Sequence, residues 1–114
     1  MNNESNILIV YKLTEDLLNK IYPTLTNFPK SEKFSLCQSI KNNFFELLGN
    51  ILSAHEVKSK RRIYLDEAMG KLRLLQVLIN LSQNRRYISE GFFRIVDLKL
   101  SEIKIKITSC FKNL

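Results

Sequence analysis

The chain has no tryptophan, and only three glycines and two prolines occur among its 114 residues. Because glycine and proline build tight turns, their scarcity argues against a turn-rich all-β fold. The two cysteines, Cys37 and Cys110, lie far apart without a C-x-x-C motif, so we expect buried free thiols in a reducing cytoplasm. No apolar run approaches the ~20 residues of a membrane span. We therefore expect a cytoplasmic protein with no membrane partner.

Residue groups that would support catalysis or metal binding are also missing. The residue three positions before His55, the one histidine, is Leu52, so the Glu-x-x-His motif of di-iron bundles fails. The sequence contains no zinc ligand set, no glycine-rich phosphate loop and no nucleophile elbow. We predict that the protein is not an enzyme and uses neither a metal nor a cofactor.

Positive charge, in contrast, is abundant. The chain has 18 Lys and Arg against 11 Asp and Glu, a formal net charge of +7. Residues 1–29 hold two basic and three acidic side chains, so sixteen basic and eight acidic ones, a net +8, fall in residues 30–114. A positively charged region of this kind attracts phosphate backbones, anionic membranes or acidic proteins. Polyanion binding is the favoured interpretation, and a charge that serves only solubility is the alternative.

Apolar residues recur at three- and four-residue steps in four segments, a pattern typical of amphipathic helices. The predicted helices span about residues 9–27, 31–57, 61–84 and 89–111, and residues 1–8 are expected to be frayed. The Ile-Lys alternation at 103–107 is also typical of a strand, but a lone strand would have no partner. Short connections then favour an all-α fold, an antiparallel up-down-up-down four-helix bundle that forms a single domain over residues 1–114.

Prolines and serines set the predicted helix ends. Pro23 should kink or narrow the first helix near Asn19, because proline lacks a backbone donor. Phe28-Pro29 should end that helix, since the residue before proline avoids the α region. Ser31 and Ser89 are the predicted N-caps of the second and fourth helices.

Two glycines bear on how closely two helices pack, and a second apolar row bears on packing between copies of the chain. Gly49 and Gly70 lie nearly equidistant from the turn near residue 59, where they would let two helices approach closely or are merely tolerated. On the fourth helix, Ile95, Leu98 and Ile105 lie off the main stripe. A bundle helix needs one stripe of a little over 100°. The second row therefore favours a homo-oligomer, with scattered surface residues as the alternative.

Basic residues gather at both ends of the predicted bundle and form the candidate nucleic-acid interface. One end brings together Lys58, Lys60, Arg61, Arg62, Lys104, Lys106 and Lys112. The opposite end has Arg85, Arg86 and Arg94 beside Tyr87, and Arg73 lies mid-helix. Arginine next to an aromatic ring is suited to clamp phosphate or stack on a base. The alternative for both groups is a solvated bundle end.

Two segments resemble a known family: Phe28-Pro29-Lys30-Ser31-Glu32-Lys33-Phe34-Ser35-Leu36 and Lys71-Leu72-Arg73-Leu74-Leu75. Over about residues 10–112 the chain resembles Avd, the small four-helix-bundle accessory proteins of diversity-generating retroelements. The resemblance implies a barrel-shaped homopentamer that binds RNA or DNA. It also implies association with the retroelement's reverse transcriptase and support of template-RNA-dependent cDNA synthesis in mutagenic retrohoming.

A related four-helix-bundle family provides the alternative. It is encoded in intervening sequences of bacterial large-subunit rRNA genes and shares the fold and the pentamer. On that interpretation the chain is a structural homo-oligomer that binds only protein or has no nucleic-acid role. The Phe28–Leu36 segment itself is interpreted as a mechanical connection between two helices and not as a binding site.

Overall fold

In the computed structural model, which describes residues 3–112 and 114, all regular structure is helical. The four α-helices are α1 (Asn3–Ile21), α2 (Leu36–Glu56), α3 (Arg61–Asn84) and α4 (Glu90–Phe111). Three short 3₁₀ helices cover Tyr22–Asn27, Lys30–Glu32 and Lys58–Lys60. The all-α prediction is confirmed, and the Ile-Lys alternation at 103–107 lies within α4.

The helices are arranged as a ring in chain order. α1 packs against α2 and α4, and α3 packs against the same two helices, with α2 and α3 forming the most extensive pair. Short connections reverse the chain at each corner, so the fold is the predicted four-helix bundle. The molecule measures 42 × 25 × 19 Å along its principal axes, the long axis running with the helices.

One apolar core runs the length of the bundle. Phe44, Leu72 and Leu100 are among its fully buried side chains, each contributed by a different helix. Two buried hydroxyls interrupt it: Thr14 donates to the Val10 carbonyl and Ser82 to the Leu78 carbonyl, each at 2.8 Å. Because each hydroxyl finds its acceptor one turn earlier on its own helix, neither leaves an unpaired polar group in the core.

The first helix differs from its predicted bounds. It begins at Asn3 rather than about residue 9, and Ile7, in the stretch expected to be frayed, is fully buried. Ile7 extends the buried row of Val10 and Leu17, but the polar residues before it conceal that continuation in the sequence. α-Helical geometry ends at Ile21, and Pro23 lies in the first turn of the 3₁₀ helix that follows, where its missing donor costs nothing.

The two predicted N-caps have opposite outcomes. Ser89 is confirmed, because its hydroxyl accepts a hydrogen bond from the Phe92 N–H at 3.1 Å. Ser31 is wrong: it lies inside the 3₁₀ helix Lys30–Glu32, and α2 starts only at Leu36. Ser35 occupies the N-cap position, but its hydroxyl donates to Glu32 Oε1 at 2.6 Å instead of capping the helix. The helix starts later because Leu36 is the first buried residue of its stripe.

Gly49 and Gly70 do not mark a close approach of α2 and α3. Both are exposed, and a Cβ added at either would meet no heavy atom within 4 Å. They instead line an open groove of about 690 Å³ on the outer side of the helix pair. Lys71 and Glu46, which line the same groove, form an ion pair of 2.6 Å that links α3 to α2.

Candidate nucleic-acid interface

Arg61 is a structural residue at the end of α2. Its side chain is buried, Nε donates to the Ala54 carbonyl at 2.7 Å, and Nη2 donates to the His55 carbonyl at 3.0 Å. The last carbonyls of a helix have no intrahelical donor, and they carry the negative end of its dipole. The guanidinium satisfies both requirements, so a cation at the start of α3 stabilises the end of α2. Two of the N–H groups of Arg61 are therefore engaged in ending α2.

Lys58 forms an ion pair with a residue near the start of the chain. Its Nζ lies 2.6 Å from Glu4 Oε1, and this hydrogen bond, with the attraction of the ammonium group, lowers the pKa of the Glu4 carboxyl. The pair ties the start of α1 to the α2–α3 connection. The Glu4 carboxylate would have to be displaced, or its repulsion offset, before Lys58 contacts a phosphate.

Lys60, Arg62 and Lys112 are the described cations of this end that remain open. All three side chains are exposed, and none forms an ion pair with any described carboxylate. The Arg62 guanidinium lies 5.7 Å from the Phe111 ring centroid, which holds it against the C-terminal turn of α4. We call Lys60 and Arg62 the basic end.

Lys104 and Lys106 do not join the basic end as one surface. Lys104 lines a groove of about 180 Å³ between α3 and α4, together with Arg73 and Gln76. Lys106 lines a separate groove beside α1, with Ile9. Lys104 and Lys106 are two positions apart on α4, which corresponds to a rotation of about 200° around the helix axis. Their side chains therefore leave α4 in nearly opposite directions. The structure thus brings Arg73 and Lys104 together, which the sequence did not predict.

At the opposite end, the arginines and Tyr87 do not form the expected clamp. Arg94 is paired with Glu90 at 2.7 Å, and Arg85 and Arg86 are exposed, the latter in the left-handed region with φ of 62°. The Tyr87 ring lies 5.3 Å from the Phe28 ring. Its hydroxyl donates to Glu32 Oε2 at 2.9 Å. Tyr87 therefore joins two connections of the bundle and is not an open stacking surface.

Comparison of the sequence with known protein families gives a match. A family model described as bAvd-like matches residues 7–114. The chain belongs to the bAvd-like family. No curated protein and no solved structure matches it. Family membership suggests an accessory protein of a diversity-generating retroelement, a generally non-catalytic class, and it confirms the resemblance to Avd.

Two further properties of the bAvd-like chain bear on partners. No helix in the described part of the chain is long and apolar enough to cross a bilayer. Within residues 3–112 and 114, no group of three or more His, Cys, Asp and Glu side chains is placed to hold a metal ion.

The bAvd-like chain exposes two apolar rows that run along the outside of the bundle. The row on α3 consists of Ile63, Leu74, Val77 and Leu81, each 40–55% exposed. The row on α4 consists of Ile95, Leu98 and Ile105, exposed by 44%, 68% and 66%. Counting Gly70 in the first row and Glu102 in the second, each row advances by steps of three, four or seven residues, the spacing of a heptad seam. Sequence reasoning found the α4 row and missed the α3 row.

Three lysines that the sequence did not predict as ligands surround one pocket of the bAvd-like chain. Lys30, Lys33 and Lys41 line a pocket that also includes Tyr22. A signal was available in the sequence: Lys33 and Lys41 are eight residues apart on either side of the start of α2. The signal was missed because the segment was interpreted as a connection only.

Removing the Tyr87 hydroxyl provides a pH-dependent prediction for the bAvd-like chain. Hydrogen bonds from Ser35 and then Tyr87 lower the pKa of the Glu32 carboxyl from its ordinary 4.5. A lowered pKa in the folded state contributes stability that is present above pH 4.5 and lost as pH falls through the folded value. We expect Tyr87→Phe to be less stable than the wild type at pH 7, and the difference to shrink in acid. Urea unfolding of both proteins at pH 7 and at a pH below 4.5 measures this difference in the free energy of unfolding. A stability difference that does not change with pH would contradict the assigned role of Glu32.

Proposed function

We propose that the bAvd-like chain is a non-catalytic, nucleic-acid-binding accessory subunit that associates with a retroelement reverse transcriptase. In this role it supports template-RNA-dependent cDNA synthesis in mutagenic retrohoming. The observation that carries the proposal is the family match over residues 7–114 of a strongly basic chain. The basic end, Lys60 with Arg62, and the Arg73–Lys104 groove are the surfaces proposed to contact phosphates.

A physical argument favours these residues over the ion-paired members of the predicted set. A cation already paired with a carboxylate, such as Lys58 with Glu4 or Arg94 with Glu90, gains less from a phosphate because its charge is already neutralised. When the exposed, unpaired Lys60 and Arg62 neutralise phosphates, the nucleic acid releases its condensed counterions, which is the main source of affinity.

The test is a salt titration of binding to a fluorescein-labelled oligonucleotide. Lys60→Gln combined with Arg62→Gln should weaken binding and lower the slope of log K against log salt by up to about 0.9 for each phosphate that is no longer neutralised. The matched control is Lys20→Gln with Lys106→Gln, which removes the same charge from the α1–α4 side at two exposed lysines without a described ion pair. Equal decreases in affinity for the two double variants would remove the basic end from the proposed interface.

Association with a polymerase is tested separately by co-expression. We expect a reverse transcriptase gene, a variable repeat and a template repeat beside this gene. The encoded polymerase should co-purify with the chain at high salt, where contacts bridged by nucleic acid are weakened. A location inside an rRNA gene, without a polymerase, would instead favour the protein-only structural role.

We further propose that the chain acts as a homo-oligomer, with a pentamer as the size implied by the resemblance. The exposed rows on α3 and α4 support this, because a monomer gains nothing from Leu98 at 68% and Ile105 at 66% exposure. Two rows on neighbouring helices also suit a closed ring, in which each copy contributes one surface to each neighbour.

Leu74→Glu is expected to break the oligomer while leaving the bundle folded. The side chain lies in the middle of the α3 row and is 42% exposed, so the charge is tolerated in a monomer but is costly in an apolar interface. Light scattering should show a smaller particle, with unchanged far-UV circular dichroism. Val57→Glu, at 38% exposure outside both rows, is the control. A wild-type monomer at micromolar concentration would contradict the proposal.

A further inference from the structure

A small pocket opens in the connection between α1 and α2, at the end of the bundle opposite the basic end. Its volume is about 270 Å³. The aromatic rings of Tyr22 and Phe28 and the thiol of Cys37 contribute to its lining. Of the nine described residues that line it, three are lysines and none is acidic: Lys30, Lys33 and Lys41. We call it the lysine pocket.

None of these three ammonium groups is neutralised. No described carboxylate forms an ion pair with them. The nearby Glu32 carboxylate instead accepts the hydroxyl hydrogens of Ser35 and Tyr87. Three like charges around one cavity repel each other, so an anion that enters the pocket relieves that repulsion as well as forming its own contacts.

Two exposed aromatic rings accompany the lysines. The Lys41 Nζ lies 4.8 Å from the centroid of the Tyr22 ring, which is 44% exposed. The Lys33 Nζ lies 5.3 Å from the Phe34 ring, which at 84% is the most exposed large apolar side chain described. Each ring lies near a cation and is 44% or more exposed, so part of its surface is accessible to a flat ligand. Lysines interleaved with exposed rings are the usual composition of surfaces that bind single-stranded nucleic acid.

We propose that the lysine pocket binds one nucleotide of a single-stranded nucleic acid, its phosphate held by the lysines and its base stacked on Tyr22 or Phe34. The volume is slightly below the range of about 300–1,000 Å³ usual for small-molecule sites, which suits one nucleotide. A duplex keeps its bases paired and stacked, so it would reach the lysines but not the rings. This inference rests on the proposed function and adds the strandedness of the ligand and a second contact site.

The first experiment compares a single-stranded fluorescein-labelled oligonucleotide with its duplex, using the full chain. Lys30→Gln, Lys33→Gln and Lys41→Gln together should weaken single-strand binding about tenfold or more, and duplex binding less. The control variant removes the same charge from the α1–α4 side through Lys20→Gln, Lys99→Gln and Lys106→Gln, of which only Lys99 has a described ion pair, at 3.8 Å. It should cost less than about threefold. Equal decreases for the two triple variants, or equal decreases for single strand and duplex, would overturn the assignment.

The second experiment detects stacking of a base on the side chain at position 34 through tryptophan fluorescence. Because the chain has no tryptophan, Phe34→Trp introduces a single indole next to Lys33, one of the lysines of the pocket. We expect its fluorescence to be quenched by the single strand but not by inorganic phosphate. Anisotropy that reports binding without any quenching would overturn the stacking role of this position.

The outcomes separate the two proposals. A wild-type chain that binds no oligonucleotide contradicts the nucleic-acid function and the pocket together. A lysine-pocket variant that binds as the wild type does contradicts the pocket alone, and the function stays with the basic end and the Arg73–Lys104 groove.

Discussion

Arg61→Ala should lower the free energy of unfolding by about 2–3 kcal/mol, because it removes the charged donor of two hydrogen bonds and leaves a buried acceptor unpaired. The affected groups are the carbonyls of Ala54 and His55, which Arg61 contacts at 2.7 and 3.0 Å. Ala54 is completely buried, so water does not replace the missing donor at its carbonyl without opening the end of α2. Urea unfolding followed by circular dichroism measures the change.

The adjacent Arg62 provides the matched control for this prediction. It has the same charge and lies on the same helix, but its side chain is exposed and lies near the Phe111 ring. Arg62→Ala should therefore cost less than about 1 kcal/mol. Arg61→Lys should recover only part of the stability, since one ammonium group does not reproduce the planar fork that reaches both carbonyls. Equal unfolding midpoints for the two alanine variants would contradict the assigned role of Arg61.

The contrast between the buried Arg61 and the exposed Arg62 also decides which residues are suitable for the binding experiment. A charge reversal at Arg61 would place an uncompensated carboxylate against the carbonyls that end α2, so a decrease in nucleic-acid binding would report unfolding. Lys60 and Arg62, which are exposed and unpaired, allow the charge to be removed without touching the core. This is the reason for choosing them in the binding experiment.

The helices could be predicted from the sequence wherever burial repeats strictly along the chain. The third helix has its predicted bounds, Arg61–Asn84, because Leu65, Leu72 and Ile79 recur every seven residues and are all buried. The start of the fourth helix was predicted by Ser89, whose cap is local chemistry. The starts of α1 and α2 were not, because Ile7 follows a polar stretch and Ser31 looks like a cap although the buried row begins only at Leu36.

The candidate site was much less predictable, because the availability of a cation depends on contacts between distant segments. Lys58 meets Glu4 from the start of the chain, and Tyr87 meets Glu32 from another connection. Neither pairing leaves a periodic signal. The direction of a side chain around its helix also decides which groove it enters, as the separation of Lys104 from Lys106 illustrates.

Two phenylalanines, one in the core and one on the surface, allow stability and binding to be tested independently. Phe44 is completely buried in the centre of α2, whereas Phe34 is 84% exposed just before that helix begins. Phe44→Ala should cost about 3–5 kcal/mol, the transfer free energy of the ring plus the cavity left in a close-packed core. For a domain whose total stability is typically about 5–15 kcal/mol, this is enough to lower the unfolding midpoint severely.

Phe34→Ala makes the same chemical change with the opposite expected result. Its free energy of unfolding should stay within about 0.5 kcal/mol of the wild type, since the ring has little burial to give up. Its affinity for a single-stranded oligonucleotide should fall, because a stacking surface is removed. Phe44→Ala, measured where it is still folded, should bind as the wild type does. Urea unfolding and anisotropy on the two variants measure both quantities. If Phe34→Ala destabilises the fold as much as Phe44→Ala, the exposed ring has a packing role, and Tyr22 is the one proposed stacking surface that the lysine pocket retains.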